Sequence, residues 1–413
     1  MGMRRLIRIA VGAVLLVWVT AAALAAGNGP DMRIGIREGQ GSVSVMGTQD
    51  VGVYRQDKLW KKVKANTPVQ IQISGSELTV NGAKTAGPVS VRPLQKDGLV
   101  KVTDGYSYRG YLEMMKSPAS SGMTVVNVVP LEYYLYGVVG KEMSPSWSLE
   151  ALKAQSVAAR TYAVSHRNYF KSRGFDMTDD TRSQVYGGVN AEAPSIIQAV
   201  NATSGEILTH KGKPIEAIFS ASAGGWTENS ENVWGTALPY LRGVVDKSDK
   251  MPSYSWSVST TPEKLASNLQ AAGKGVGTVK SISLSPLAKR PIAAADRGVS
   301  GRVLNMTVIG SKGKVNVTGN AFQSILGLKS TLFDFYSGQG TPPDPDRDKP
   351  ARKPVFSVKP RQAFTIYGFG WGHGLGMSQY GAYQMAREHP NDRNYYREIL
   401  AHYYTDTKLE RLY

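Results

Sequence analysis

The chain of 413 residues contains no cysteine and only five histidines. The lack of cysteine excludes a disulfide framework, a thiolate zinc site and a cysteine nucleophile. The histidines, at 166, 210, 373, 389 and 402, show no spacing typical of metal ligands. We therefore expect no metal and no other cofactor. Without disulfides the stability must come from apolar cores, and a chain of this length predicts two or three domains.

The N-terminus has the pattern of a secretory signal. Arg4, Arg5 and Arg8 precede an uncharged run of 18 residues from Ile9 to Ala26, which ends in small residues. A positive start, an apolar stretch and a small-residue cleavage site are typical of an exported chain. An uncleaved anchor is the alternative, because 18 residues are just long enough to span a bilayer core. In either case we expect the rest of the chain outside the cytoplasm, secreted or membrane-tethered.

Acidic residues are fewer than basic ones, 32 against 49, and the formal charge is +17, or +14 without the three arginines of the leader. Such a positive field concentrates anionic polymers near the surface. No zinc finger, basic zipper or RRM signature is present, so we expect no nucleic acid partner. For an exported chain, anionic wall polymers or lipid head groups fit better. A basic surface that only aids solubility is the alternative.

The order of local patterns predicts an α+β fold. β-branched residues and turn signals such as Asn81-Gly82 predict a β-rich N-terminal portion over 27–129. After Pro130 helical patterns cover 131–139 and 149–170, with Ser148 as a predicted N-cap of the second helix. Alanines lie on more than one face of that helix, which predicts a closely packed central helix within a mixed α/β core.

Further along, two strand patterns near 303–308 and 314–317 predict a hairpin, and no internal repeat is present. Prolines and charged residues are concentrated in the segment 338–354, which predicts a surface linker or insertion. The predicted division is a signal peptide or anchor over 1–26, a β-rich region over 27–129, a mixed core over 130–336, a linker over 337–354 and the C-terminal part of the core over 355–413.

Five blocks of this sequence resemble the stage II sporulation protein D (SpoIID) / LytB amidase-enhancer family. The blocks are PLEYYLYGVVGKEMSPSWSLEALKAQSVAARTYAVSHRNYF (130–170), SQVYGG (183–188), SASAGGWTENSENVWG (220–235), GRV (301–303) and GFGWGHGLGMSQYGA (368–382). They occur in the family's order and extend over nearly the whole mature chain. The resemblance implies work on the cell wall. The sporulation branch is a lytic transglycosylase, which cuts peptidoglycan glycan strands that lack stem peptides and leaves a 1,6-anhydro sugar.

In that branch the catalytic acid is a glutamate that falls here on Glu142. Cleavage of a glycosidic bond needs a proton on the leaving oxygen, and a carboxylic acid supplies it. The apolar neighbours of Glu142 would raise its pKa, while Lys141 and a nearby helix N-terminus would lower it, so the sign is open. Glu132 and Glu150 are competing acids, although each also fits a first-turn position that stabilises a helix.

Four further residues are candidates for substrate binding. Gln184 and Tyr186 offer hydrogen-bonding groups and a ring to a sugar, or else form a packed strand end. His373 lies among glycines at alternate positions, so its imidazole would contact substrate or orient a carboxylate, or else bond to backbone. Gln379 and its neighbour Ser378 share this ambiguity.

Three functions are compatible with these observations. The sporulation branch carries a zinc site of cysteine and histidine, which we expect to be absent here because the chain has no cysteine. We expect an enzyme that cuts glycan strands. The second function is a non-enzymatic enhancer that binds the wall and stimulates a partner amidase. A purely structural module that binds the wall through its basic surface is the third.

Overall fold

The computed structural model describes residues 29–413 except 76, 86, 104, 249–250, 252–253, 339–340, 342, 347 and 351. The signal or anchor predicted over 1–26 lies outside the described residues. The chain divides into two compact units. The first comprises residues up to 145, 166–207 and 410–413, and the second comprises 146–165 and 208–409. Within the described ranges, no helix combines the length and apolar character needed to cross a bilayer.

The first unit is built mainly on two sheets. Its strands are β1 (Asp31–Gln40), β2 (Ser42–Gly47), β3 (Val51–Arg55), β4 (Lys58–Val63), β5 (Val69–Ser74), β6 (Glu77–Val80), β7 (Ala83–Thr85), β8 (Val89–Pro93), β9 (Val100–Val102), β10 (Ser107–Tyr108), β11 (Tyr111–Lys116), β12 (Met123–Pro130) and β13 (Met177–Thr178). The orders are β13-β1-β12-β11-β8-β3-β4 and β10-β9-β2-β5-β6-β7. The predicted β-rich N-terminal portion is confirmed.

The strand patterns explain where the core of the first unit lies. Strands β2, β5, β6 and β11 alternate buried and more exposed residues, as expected for sheets with one inner face. Strand β12 is buried from Met123 to Val129, because it lies inside the seven-stranded sheet. The chain then enters a helix directly at Leu131, so the sheet fixes where that helix begins.

The helices are α1 (Leu131–Glu142), α2 (Leu149–Ser165), α3 (Pro194–Ala202), α4 (Ser230–Trp234), α5 (Pro262–Ala271), α6 (Gly319–Leu326), α7 (Gln379–Glu388) and α8 (Tyr396–Tyr403). Both helices predicted after Pro130 are confirmed. Helix α2 belongs to the second unit, where it packs against α7 and α8, and its residues from Glu150 to Thr161 are buried on every side. Ser148 lies at the predicted N-cap position and its carbonyl accepts from the Leu152 N–H at 3.1 Å, but its buried hydroxyl has no hydrogen-bond partner.

The later strands are β14 (Glu206–His210), β15 (Lys213–Pro214), β16 (Phe219–Ser220), β17 (Ser255–Thr260), β18 (Val279–Ser283), β19 (Asn305–Gly310), β20 (Gly313–Thr318), β21 (Phe333–Tyr336), β22 (Val355–Ser357), β23 (Phe364–Phe369), β24 (Met377–Ser378) and β25 (Lys408–Arg411). Strands β19 and β20 form the predicted hairpin, which turns at Ser311 and Lys312. Two sheets, with the strand orders β17-β23-β21 and β20-β19-β18-β22, and helices α5 and α6 contribute to one core of buried residues. This core is rich in phenylalanine.

Candidate functional site

Glu142 is the last residue of helix α1 in the first unit, and its side chain is partly exposed. Two glycines let a neighbouring segment lie close to this helix. A Cβ at Gly137 would come within 2.5 Å of the Tyr186 ring, and one at Gly140 within 1.9 Å of the Ala191 carbonyl oxygen. The block that contains Tyr186 is therefore packed along the helix that ends in Glu142.

Gln184 and Tyr186 both lie inside the first unit, where each is 3% exposed. The Tyr134 hydroxyl donates to Gln184 Oε1 at 3.2 Å, and the Tyr186 hydroxyl donates to Asn127 Oδ1 at 2.9 Å. Asn127 lies on β12 and Tyr134 on α1, so these two hydrogen bonds tie the segment to the sheet and to the helix. Contact of either side chain with a sugar stays a prediction.

The two competing glutamates are occupied in the fold. Glu132 is 1% exposed, and its carboxylate accepts from the Gly205 N–H at 3.3 Å and from the Tyr413 hydroxyl. Glu150 is 8% exposed. It binds Lys153 Nζ at 2.7 Å and accepts from the Tyr396 N–H at 3.2 Å. Both carboxylates thus stabilise their own surroundings, which weakens them as catalytic acids.

The first unit also contains an acid that the sequence reasoning missed. Burial and then the neighbouring Asp180 raise the pKa of Asp179 to about 6, against an opposing backbone hydrogen bond. The Asp179 carbonyl accepts from the Tyr186 N–H at 3.0 Å, so this acid lies beside the packed segment. The adjacent pair of aspartates was the available signal, because like charges side by side raise one pKa.

In the second unit a buried arginine joins three of the five sequence blocks. Arg302 is 1% exposed and donates to the Gly372 carbonyl at 3.1 Å and to the Ala223 carbonyl at 3.3 Å. Burial lowers the pKa of Arg302 to about 10, so it stays charged at neutral pH. A Cβ at Gly374 would lie 2.2 Å from this guanidinium, which explains a glycine there.

His373 lies in the glycine-rich loop that Arg302 supports. The Leu375 N–H donates to its Nδ1 at 3.0 Å, which makes Nδ1 the acceptor of a neutral ring. Burial and the charge of Arg302 lower the pKa of His373 to about 4, while a backbone hydrogen bond with Phe219 acts in the opposite direction. The imidazole is therefore uncharged near pH 7. Its bonds to backbone match the alternative interpretation, and a contact with substrate stays a prediction.

Gln379 begins helix α7 and is 5% exposed. The preceding Ser378 is the N-cap, and its hydroxyl accepts from the Gly381 N–H at 3.2 Å and from the Ala223 N–H at 3.3 Å. A role of Gln379 in substrate binding stays a prediction. His373 and Gln379 belong to the second unit, whereas Glu142, Gln184 and Tyr186 belong to the first.

Glu228 follows the turn that contains Gly224 and Gly225, and its carboxylate is fully bonded within the second unit. It is 0% exposed and accepts from the Asn229 N–H, from Asn232 Nδ2, from the Val299 N–H and from both the N–H and the hydroxyl of Ser300. A buried carboxylate with this many donors is satisfied by the fold alone. The turn at 224–228 is architectural.

Two tryptophans of the quoted blocks are displayed at the surface, and the sequence reasoning did not single them out. Trp371 is 50% exposed and Trp234 is 49% exposed. The Trp234 ring lies 5.3 Å from the imidazole of His373, centroid to centroid. The available signal was two tryptophans in short glycine-containing blocks, although exposure itself depends on the fold.

Across the part of the chain that the structure describes, no three histidine, aspartate or glutamate side chains come together as metal ligands would. The zinc site of the sporulation branch needs cysteine, and this chain has none. The residues present do not fit that site.

Comparison with known proteins gives the family. Residues 119–210 match the model of a family described as stage II sporulation protein, and residues 247–376 match a domain of unknown function. A stage II sporulation protein D from Bacillus amyloliquefaciens is 34% identical over 299 residues, which make up 68% of this chain and 74% of the relative. The chain belongs to the SpoIID/LytB family.

Two further relatives are similar to this SpoIID/LytB protein. An amidase enhancer from Bacillus subtilis (strain 168) is 30% identical over 366 residues, 82% of this chain and 49% of the relative. The chain thus spans about half the length of that enhancer. An uncharacterized protein from Brachyspira hyodysenteriae is 34% identical over 316 residues, 75% of either chain.

Proposed function

We propose that this SpoIID/LytB protein is exported and works on peptidoglycan, as a lytic transglycosylase that cuts glycan strands lacking stem peptides. Glu142 is its general acid and base. The observation that supports this most is the position of Glu142, partly exposed at the end of a helix fixed by β12. Glu132 and Glu150, in contrast, are buried, at 1% and 8% exposed.

Two charges act on Glu142 in opposite directions. The last carbonyl groups of α1 carry the partial negative charge of the helix dipole, which disfavours a carboxylate there. Lys141 would favour the charged form. The Lys141 ammonium lies 5.6 Å from the centroid of the Tyr106 ring, so it also makes a cation–π contact with that ring.

The reaction needs one carboxyl group and no water. Glu142 gives its proton to the glycosidic oxygen as the bond from that oxygen to the anomeric carbon breaks. The 6-hydroxyl of the same sugar then forms a new bond to the anomeric carbon. The carboxylate of Glu142 takes the proton released by that hydroxyl, which restores the acid. The products are a free 4-hydroxyl end and a 1,6-anhydro end.

Digestion of peptide-free glycan strands, followed by mass spectrometry, tests this proposal. We expect anhydro-muramyl ends from the wild-type chain and none above background from Glu142→Gln. Glu398→Gln is the matched control, because Glu398 is an exposed glutamate on α8 and its loss should leave the product unchanged. Equal product from the wild-type chain and Glu142→Gln would exclude Glu142 as the acid.

The similarity to an amidase enhancer over 82% of this chain supports a second candidate, a wall-bound stimulator of a partner amidase. The same assay separates the two. If the wild-type chain forms no anhydro ends, yet a wall amidase releases stem peptides faster in its presence and equally fast with Glu142→Gln, the enhancer function replaces the enzyme.

A further inference from the structure

Trp371 is held at the surface of the second unit by its backbone. Its N–H donates to the Ser222 carbonyl at 2.8 Å, and its own carbonyl accepts from the Ser222 N–H at 3.1 Å. The next residue, Gly372, donates to the Lys329 carbonyl at 3.0 Å and accepts from Arg302 at 3.1 Å. Four hydrogen bonds thus fix a loop whose indole ring is 50% exposed.

Charged and aromatic groups surround this ring. The Lys329 ammonium lies 4.8 Å from the centroid of the Trp371 ring, and Lys329 is exposed. Two residues after Trp371, the His373 ring lies against the ring of Trp234, which is 49% exposed. The fixed loop therefore carries the exposed indole ring of Trp371 with the Lys329 ammonium against it, and its His373 ring lies against the exposed Trp234 ring at the end of α4.

We propose that Trp371, Trp234 and Lys329 form a binding surface for a sugar that carries a carboxylate, which in a peptide-free glycan strand is the muramic acid residue. This inference rests on the proposed function for its choice of ligand, since removal of the stem peptide is what frees that carboxylate. It adds the residues of the second unit that recognise the strand.

Each component suits such a ligand. The faces of the indole rings carry negative potential and attract the weakly positive C–H groups of a sugar ring. Leaving two large apolar rings half in water costs free energy, which contact with a ligand would recover. Lys329 supplies the positive charge that a carboxylate pairs with.

The first unit offers a matched control. Trp60 on β4 is 40% exposed, and the Arg55 guanidinium lies 3.2 Å from its ring centroid. This pair also combines indole and cation, yet it lies on the edge strand of a sheet in the other unit. A general affinity of exposed tryptophans for sugars would appear at Trp60 as well.

The test is calorimetric titration of the full-length chain carrying Glu142→Gln, so that strands are bound without being cut. The ligands are a peptide-free tetrasaccharide of alternating N-acetylglucosamine and N-acetylmuramic acid, and chitotetraose, which has no carboxylate. We expect Trp371→Ala to weaken binding of both ligands about tenfold and Trp234→Ala to weaken it by a smaller factor. Lys329→Met should weaken only the muramyl ligand, and Trp60→Ala should change neither.

Unchanged affinity in Trp371→Ala, or an equal loss in Trp60→Ala, would overturn the inference. A loss for both ligands in Lys329→Met would overturn its carboxylate component. The two proposals fail separately. If the variants bind with this pattern but the wild-type chain forms no anhydro ends, the enzyme proposal is wrong and the binding surface stands, whereas anhydro product from the wild-type chain with unchanged binding in Trp371→Ala would give the opposite result. All four substituted side chains are exposed, so we expect each variant to fold. Unaltered melting curves would verify this.

Discussion

Glu142 and Glu228 place the same side chain in contrasting settings, one in each unit. Glu142 ends helix α1 and is partly exposed, whereas Glu228 is 0% exposed and accepts five hydrogen bonds from the chain around it. A buried carboxylate whose oxygens are saturated by donors has no capacity left for a substrate. The contrast teaches that the acid of this protein should be sought where the fold leaves a carboxyl within reach of a ligand.

The largest effect should come from Glu142→Gln. The amide cannot give a proton to the glycosidic oxygen, so the rate of formation of anhydro ends should fall about a thousandfold, equivalent to about 4 kcal/mol in the barrier. The melting temperature should not change, because the side chain is partly exposed and the substitution keeps its shape. A large loss of stability in this variant would erase the distinction between the two glutamates.

Substitution of Glu228 should do the opposite and act on stability. Glu228→Leu removes the acceptor for the donors at Asn229, Val299 and Ser300, and it removes one of the two carboxylates that act on the buried charge of Arg302. We expect a loss of about 3–5 kcal/mol in the free energy of unfolding, measured by urea denaturation.

Glu142→Leu is the counterpart for that measurement. A partly exposed position should change the free energy of unfolding by less than about 1 kcal/mol. If both leucine variants lose similar stability, Glu142 is as structural as Glu228, and the proposed acid is wrong.

Tyr186→Phe should have a moderate effect on the first unit. The variant loses the 2.9 Å hydrogen bond to Asn127 and leaves a buried amide oxygen without that donor. We expect a loss of about 1–2 kcal/mol in the free energy of unfolding. Activity should fall less than in Glu142→Gln, since the ring against Gly137 remains. Loss of activity with unchanged stability would instead indicate direct contact of the hydroxyl with substrate.

The remaining effects concern pH, and they have opposite signs in the two units. The pKa of Asp179 is raised from 3.8 to about 6, so its contribution to stability is present below pH 3.8 and is lost as the pH rises through 6. The pKa of His373 is lowered from 6.5 to about 4, so its contribution is present above pH 6.5 and is lost as the pH falls through 4.

Two substitutions separate these contributions. Asp179→Asn should remove a decrease in stability between pH 4 and 6, and His373→Gln should remove an increase over about the same range. Urea denaturation of each variant at several pH values measures both slopes. Unchanged slopes in both variants would show that burial does not shift these pKa values.

Local signals carried much of the fold. The Asn81-Gly82 turn, the hairpin at β19 and β20 and the helix α2 each depend on residues close together in sequence, so the patterns of turn residues and of apolar spacing were sufficient. These local patterns could not predict how the two units interleave along the chain. Residues 146–165 belong to the second unit although the chain on either side belongs to the first, and only long-range packing decides that.

The same limit applies to the candidate site. The motif indicated Tyr186, yet its depth is set by Asn127, which lies 59 residues earlier in the chain. Arg302 carries a charge that usually indicates a surface position. It is buried because carbonyl groups at Ala223 and Gly372 converge on it from both directions along the sequence.

The packing of α2 also sets how this protein can be divided. The family match at 119–210 includes α2, but its partners α7 and α8 come from residues 379–403. Lys153 bonds to the Arg393 carbonyl at 2.8 Å, and Glu150 bonds to the N–H of Tyr396. A fragment cut at residue 210 would expose the alanine-rich sides of α2 to water and invite aggregation. Biochemical work on the minimal matched region would then measure a misfolded polypeptide, and inactivity there would carry no information about the full chain.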